Sequence, residues 1–327
     1  MYQQSKEAWK SKWKAALGGL VVALAGVPAL AISPWAAGVV YEHNGTPLTF
    51  GPFHASSLWN SPEGIVGKIN TIDRDDTGGA NPTWREIHMA WPAWYKGSND
   101  AGLIGQPYVQ ALGTNNGIGL RQGGQVVVAF DHPVVNNPDD GGAYNWGADF
   151  IVHGNSFFVG DGSTYPNTNM ETYYLTTGAA FAEPVTVSVA QSLDGPWYTF
   201  DEPTADNYFP TQPWAWDRDA HDWSSHELDW LKPVNPHLGA ADFAGQSVAD
   251  AIDLYGGSAG GTGFDIGAFD LDWIQYVMIS DPSGFQGEIC GIVDVAAPEP
   301  NSLLLILAAG GALLGSQSCR SSLRKTR

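Results

Sequence analysis

The chain has 327 residues, with 34 Asp and Glu against 15 Lys and Arg and a net charge of −19. Such an acidic surface repels the phosphate backbone, which excludes nucleic acid as a partner. With only two cysteines the chain is not a disulfide-stapled scaffold, so its stability must come from the size of an apolar core.

Lys6, Lys10, Lys12 and Lys14 open the chain, an apolar run follows over residues 15–27, and Pro28-Ala29-Leu30-Ala31 comes next. Basic, apolar and small-x-small segments in this order predict a secretory signal helix over residues 1–31. Signal peptidase would cut after Ala31, with Ala36 or Ala37 as alternative positions. An uncut anchor is the competing reading.

Residues 32–297 read as one large all-β domain. Short apolar runs at 125–130, 149–153, 185–191, 197–200, 273–280 and 288–295 are candidate strands. Turn clusters such as Asp139-Asp140-Gly141-Gly142 and Asp194-Gly195 separate them. One short helix is expected over 247–255, with Ser247 as its cap, Val248, Ile252 and Tyr255 on one face, and Gly256-Gly257 as its stop. Many short strands without βαβ alternation predict a β-sandwich with long loops. Residues 203–237 read as a long excursion from it.

This body keeps seven Lys and Arg against 32 acids, so its charge is near −25. Bound cations would relieve that repulsion, and Ca²⁺ is the candidate outside a cell; a plain acidic secreted surface is the competing reading. Asp73-Arg74-Asp75-Asp76-Thr77-Gly78 begins like a calcium loop, which makes Asp73 and Asp75 candidate ligands. Its twelfth place is Trp84 rather than Glu, so it is not an EF-hand. Asp217-Arg218-Asp219, with His221 and Asp222, is a second weak candidate. Cys290 sits in an apolar run and reads as a buried small hydrophobe.

Twelve of the 14 Trp fall in the body. Trp214, Trp216, Trp223 and Trp230 cluster in the excursion and are candidate sugar-stacking rings, because flat aromatic faces match the apolar faces of sugars. Core packing is the competing role for each. Asp270 and Asp272 would share one side of a strand, a spacing that a retaining glycosidase could use. No HExxH, zinc spacing or GxSxG occurs.

The chain ends in Pro298-Glu299-Pro300, an uncharged Leu-rich run, and a basic tail with Arg320, Arg324, Lys325 and Arg327. As a helix, about 20 residues would span about 30 Å, one hydrocarbon thickness. Gly310 and Gly311 weaken that helix, so the anchoring it offers is marginal and transient. The basic tail stays in the cytoplasm by the positive-inside rule. This ending resembles the PEP-CTERM sorting signal. The resemblance implies export through the inner membrane of a Gram-negative-type envelope to the cell surface or beyond. It also implies removal of residues 298–327 by an exosortase, a membrane enzyme.

Within the body, Gly123-Gly124-Gln125-Val126-Val127-Val128-Ala129-Phe130-Asp131-His132-Pro133-Val134 is similar to a strand pattern of exported PEP-CTERM cell-surface proteins. So are Gly147-Ala148-Asp149-Phe150-Ile151-Val152-His153-Gly154-Asn155, Asp242-Phe243-Ala244-Gly245, and Gly260-Gly261-Thr262-Gly263-Phe264-Asp265-Ile266-Gly267. The likeness implies a jelly-roll-like sandwich related in shape to carbohydrate-binding modules. It carries no known activity. By analogy with such modules Glu288 is a candidate calcium ligand, although Cys290-Gly291 stands where the family pattern has Asp-Ala. The expected function is therefore a non-enzymatic surface or matrix protein that binds polysaccharide. A polysaccharide hydrolase or lyase and a Ca²⁺-dependent coat protein are the alternatives.

Overall fold

Period-two alternation builds a five-stranded antiparallel sheet. Its order is Gly38–Val39, Gly124–Val135, Trp273–Asp281, Thr186–Ala190 and Tyr198–Thr199. A second antiparallel sheet runs Thr262–Phe264, Phe150–Gly154, Glu288–Asp294 and Ile118–Gly119. Val126, Val128, Val187, Val189, Val277 and Ile279 from the first sheet pack with Phe150, Val152, Phe264, Ile289 and Ile292 from the second. The two sheets thus share one apolar core, a sandwich-like arrangement in an all-β chain. The computed structural model describes residues 33–53, 62–69, 90–92, 118–160 and 169–295.

The second sheet is buried on both faces. Ile151, Cys290 and Val293 turn away from the shared core and meet Trp35, Trp230, Ile69 and Val295. This explains why Phe150–Gly154 is a continuous apolar run rather than an alternating one. Cys290 is buried here, as its sequence setting implied.

All six candidate strands are present, with shifted ends. The largest shift is at Gly124–Val135, which continues past Phe130 through Asp131-His132-Pro133. The register against Trp273–Asp281 slips there, between the Ile274↔Val134 and Tyr276↔Ala129 pairs. The slip seats Pro133, which has no N–H to give a ladder. Gln275 fills it by donating its side-chain amide to the Phe130 and His132 carbonyls. His132 also reaches across to the other sheet, with Nε2 2.7 Å from Asp294 Oδ2.

The sequence did not announce a second packing unit. Phe157–Gly160 and Leu175–Phe181 pair antiparallel, and the hairpin Trp214–Asp217/Asp222–Glu227 lies within the long excursion. With helices Ala240–Phe243 and Val248–Leu254 they enclose a core of Phe158, Tyr173, Leu175, Trp214, Trp216, Phe243 and Ile252. The expected helix is there: Ser247 caps it by accepting the Asp250 N–H at 3.1 Å, and Val248, Ile252 and Tyr255 are buried. The four-residue helix before it is an addition to the single helix expected.

The expected signal and sorting helices, with Ala31, Pro298, Glu299 and Pro300, lie outside the described residues. Among the described residues no helix is long and apolar enough to cross a membrane.

Candidate functional site

A cleft of about 400 Å³ opens beside the edge strand Thr262–Phe264. That volume suits a small ligand or one or two sugar units. Trp146, Phe209, Pro203, Pro233, Val234 and Pro236 give it apolar walls, and Glu202, Asp265 and Thr262 supply its polar side chains.

The turn before the second sheet holds Trp146 in place. The Asp140 carboxylate accepts backbone N–H groups from Gly142 at 3.0 Å, Tyr144 at 2.5 Å, Asn145 at 3.1 Å and Trp146 at 3.4 Å. Desolvation pushes this carboxyl up, but the four donors outweigh it and hold it below the usual Asp range. Trp146 takes a left-handed backbone, φ +52°, which turns its side chain onto Gly142. Its ring also meets His237 edge-on, with centroids 5.9 Å apart. Trp146 also lines the cleft.

The opposite wall comes from the excursion. Phe209 is held edge-on by Tyr208, at 5.3 Å. Glu202 is exposed and has no hydrogen-bond or ion-pair partner among the described residues. Asp265 spends one oxygen on the Gly267 N–H, at 2.7 Å.

Three of the four tryptophans expected to stack on sugars are placed differently. Trp214 and Trp216 are each 8 % exposed and Trp230 is 4 % exposed. Trp216 donates its indole N–H to Glu171 at 3.0 Å, and Trp230 donates to Glu227 at 2.9 Å. Trp214 and Trp216 belong to the second core and Trp230 packs edge-on to Trp35. These rings therefore serve packing. Trp223 pairs with Trp216 across the hairpin by backbone register.

Asp270 and Asp272 do not form a strand pair. Asp270 closes a 3₁₀ turn with φ +56°, and the strand begins only at Trp273. Asp217 accepts the N–H groups of Asp219 and Ala220, so that acidic segment is a hairpin turn. Arg218 ties the turn to the helix through Asp250 and Asp253 at 2.7 and 2.6 Å.

Asp73 and Asp75 lie outside the described residues. Glu288 is described, and its surroundings do not fit a calcium ion. Its carboxylate takes the Asn155 side-chain amide. Neighbouring Asp206 is filled by the N–H groups of Asn155, Ser156 and Glu288 at 2.9, 2.8 and 2.9 Å. Burial and the charges of Asp206 and Glu183 push Glu288 up to about 8. Among the described residues no group of three or more His, Cys, Asp or Glu is arranged to hold a metal ion.

Two further buried groups have shifted protonation. Burial pushes Asp149 up to about 7 despite the Asn137 and Ile266 N–H groups it accepts. Burial pushes His153 down to about 3; its Nε2 is 3.3 Å from the Trp230 carbonyl, and its Nδ1 has no hydrogen-bond partner among the described residues. Both sit inside the sheet rather than in the cleft.

Comparison with family models and with curated proteins finds no match to this chain.

Proposed function

We propose that this is an exported, exosortase-processed surface or matrix protein whose jelly-roll-like body binds polysaccharide without catalysis. Its two ends support the address. Basic clusters at both extremities resist crossing a bilayer, whereas the acidic body between them is carried out. Signal peptidase and exosortase are its processing partners, and the tail anchors it to the inner membrane only in passing.

The observation that carries the binding reading is the Trp146 cleft. It combines an indole ring, further apolar walls and carboxylate acceptors in about 400 Å³. A sugar presents apolar C–H faces and hydroxyl donors, which that combination matches. Calcium has no part in this reading, because the carboxylates of Glu288 and Asp217 turn to side-chain and backbone donors.

The test is binding of the purified full chain to a glycan array and to the producing cell's exopolysaccharide, compared with Trp146→Ala. Losing the ring should cost about 2 kcal/mol, roughly thirtyfold in affinity. Absence of glycan binding, or equal binding by Trp146→Ala, contradicts the reading. Release of reducing ends would instead mark a hydrolase, with Glu202 and Asp265 as the carboxyl pair to exchange.

A further inference from the structure

We propose that the sugar taken by the Trp146 cleft is a protonated hexosamine, its apolar face on Trp146 and its ammonium received by Glu202 and Asp265. This rests on the glycan reading above and narrows it to a chemical class.

Three observations carry it. First, the cleft wall has acceptors: Glu202 and Asp265 line it, and among the described residues no Lys, Arg or His does. Second, those acceptors are unspent. Glu202 has no hydrogen-bond or ion-pair partner among the described residues, and Asp265 keeps one oxygen free of protein donors. They contrast with Asp140, Asp206 and Asp281, whose carboxylates are filled by backbone N–H groups. Third, the chain's net charge of −19 sets a negative potential around the opening. A uronate would meet repulsion from both sources, a neutral sugar would gain only hydroxyl hydrogen bonds to the carboxylates, and an ammonium gains charge attraction from both. An ammonium near the indole face adds a cation–π attraction.

An N-acetylated unit loses the charge and adds bulk, so the cleft should read deacetylation. The cognate polymer is then one whose hexosamines have been exposed by a deacetylation reaction.

Calorimetric titration of the purified full chain tests this with four tetrasaccharides: glucosamine, N-acetylglucosamine, neutral glucose (cellotetraose) and galacturonate, below the sugar amine's pKa. The glucosamine tetramer should bind about tenfold more tightly than cellotetraose, or about 1.4 kcal/mol. Added salt should shrink the ratio. Glu202→Gln with Asp265→Asn should erase the preference, costing the glucosamine tetramer about tenfold more affinity than it costs cellotetraose; both side chains are exposed and each replacement keeps an acceptor oxygen. Tetralysine serves as a control and should bind no better than to Trp146→Ala.

Equal affinity for glucosamine and glucose tetramers overturns the inference and leaves the glycan reading standing. So does an unchanged preference in the double variant. Tetralysine binding as tight as the glucosamine tetramer reduces the effect to counter-ion attraction and overturns it too. Binding of none of the sugars overturns both.

Discussion

Gly142 lies directly beneath the indole of Trp146: a Cβ on residue 142 would stand 2.2 Å from the six-membered ring. Gly142 also has φ +83°, a backbone that side chains resist. The ring's place in the cleft thus depends on a residue that never touches ligand. Gly142→Ala should push the indole out and strain the turn, lowering stability by about 1 kcal/mol. Glycan affinity should fall as far as in Trp146→Ala, and intrinsic fluorescence should report a more exposed indole. Unchanged affinity would show that the ring position is not what binds.

The buried tryptophans give the opposite signature. Trp216→Phe keeps the ring in the second core and removes its hydrogen bond to Glu171. Stability should drop by about 1 kcal/mol, seen as a lower melting temperature, while glycan affinity stays the same. A selective loss of binding at unchanged melting temperature would return the site to the hairpin.

The buried acids should set an unusual pH dependence. Asp149 and Asp206 are pushed up to about 7 and Glu288 up to about 8, from ordinary values near 4. A carboxyl with a raised folded pKa takes up a proton on folding, so stability falls as pH rises from about 4 through about 8. His153 acts in the other sense. Its folded pKa is lowered from 6.5 to about 3, so its contribution is complete above 6.5 and is lost as pH falls toward 3. Where the two windows overlap, three acids outweigh one histidine, which places the stability maximum in mildly acid solution, near pH 4–5. Glu288→Gln preserves an acceptor for Asn155 and should stabilise the chain above pH 8 by about 2 kcal/mol, with little effect near pH 5. Melting curves across that range check both statements, and a maximum at pH 8 or above contradicts them.

The sandwich strands were legible because alternation and continuous apolar runs report burial directly. Phe150–Gly154 and Glu288–Asp294 show this, as does the helix marked by Ser247 and Gly256. The second core was not legible. Leu175–Phe181 reads Leu-Thr-Thr-Gly-Ala-Ala-Phe, with too few apolar residues for an alternation count. Its partners lie far away in sequence, at Phe243 and Ile252. The excursion over 203–237 supplies Pro203, Phe209, Pro233, Val234 and Pro236 to the cleft. The tryptophans inside it misled, because clustering in sequence cannot tell a ring that covers a core from one that faces water. Trp146 had a signal: an aromatic close behind the turn cluster Asp139-Asp140-Gly141-Gly142, in a polar loop of the kind that carries binding residues.

The reading of the two ends predicts defined termini. Intact mass spectrometry of the exported protein should give an N-terminus just after Ala31 and a C-terminus at or near Pro298-Glu299-Pro300. Glu299→Ala should leave the tail attached and the protein at the inner membrane. Recovery of the uncut chain from the cytosol would remove the export reading and every surface role built on it.

The most direct measurement is a crystal structure of the chain with a bound glucosamine tetrasaccharide. The expected result is a sugar ring within about 4 Å of the Trp146 indole, with its nitrogen at hydrogen-bonding distance from Glu202 or Asp265. A sugar seated elsewhere, for instance against the hairpin that carries Trp223, with the Trp146 cleft empty, would contradict the account.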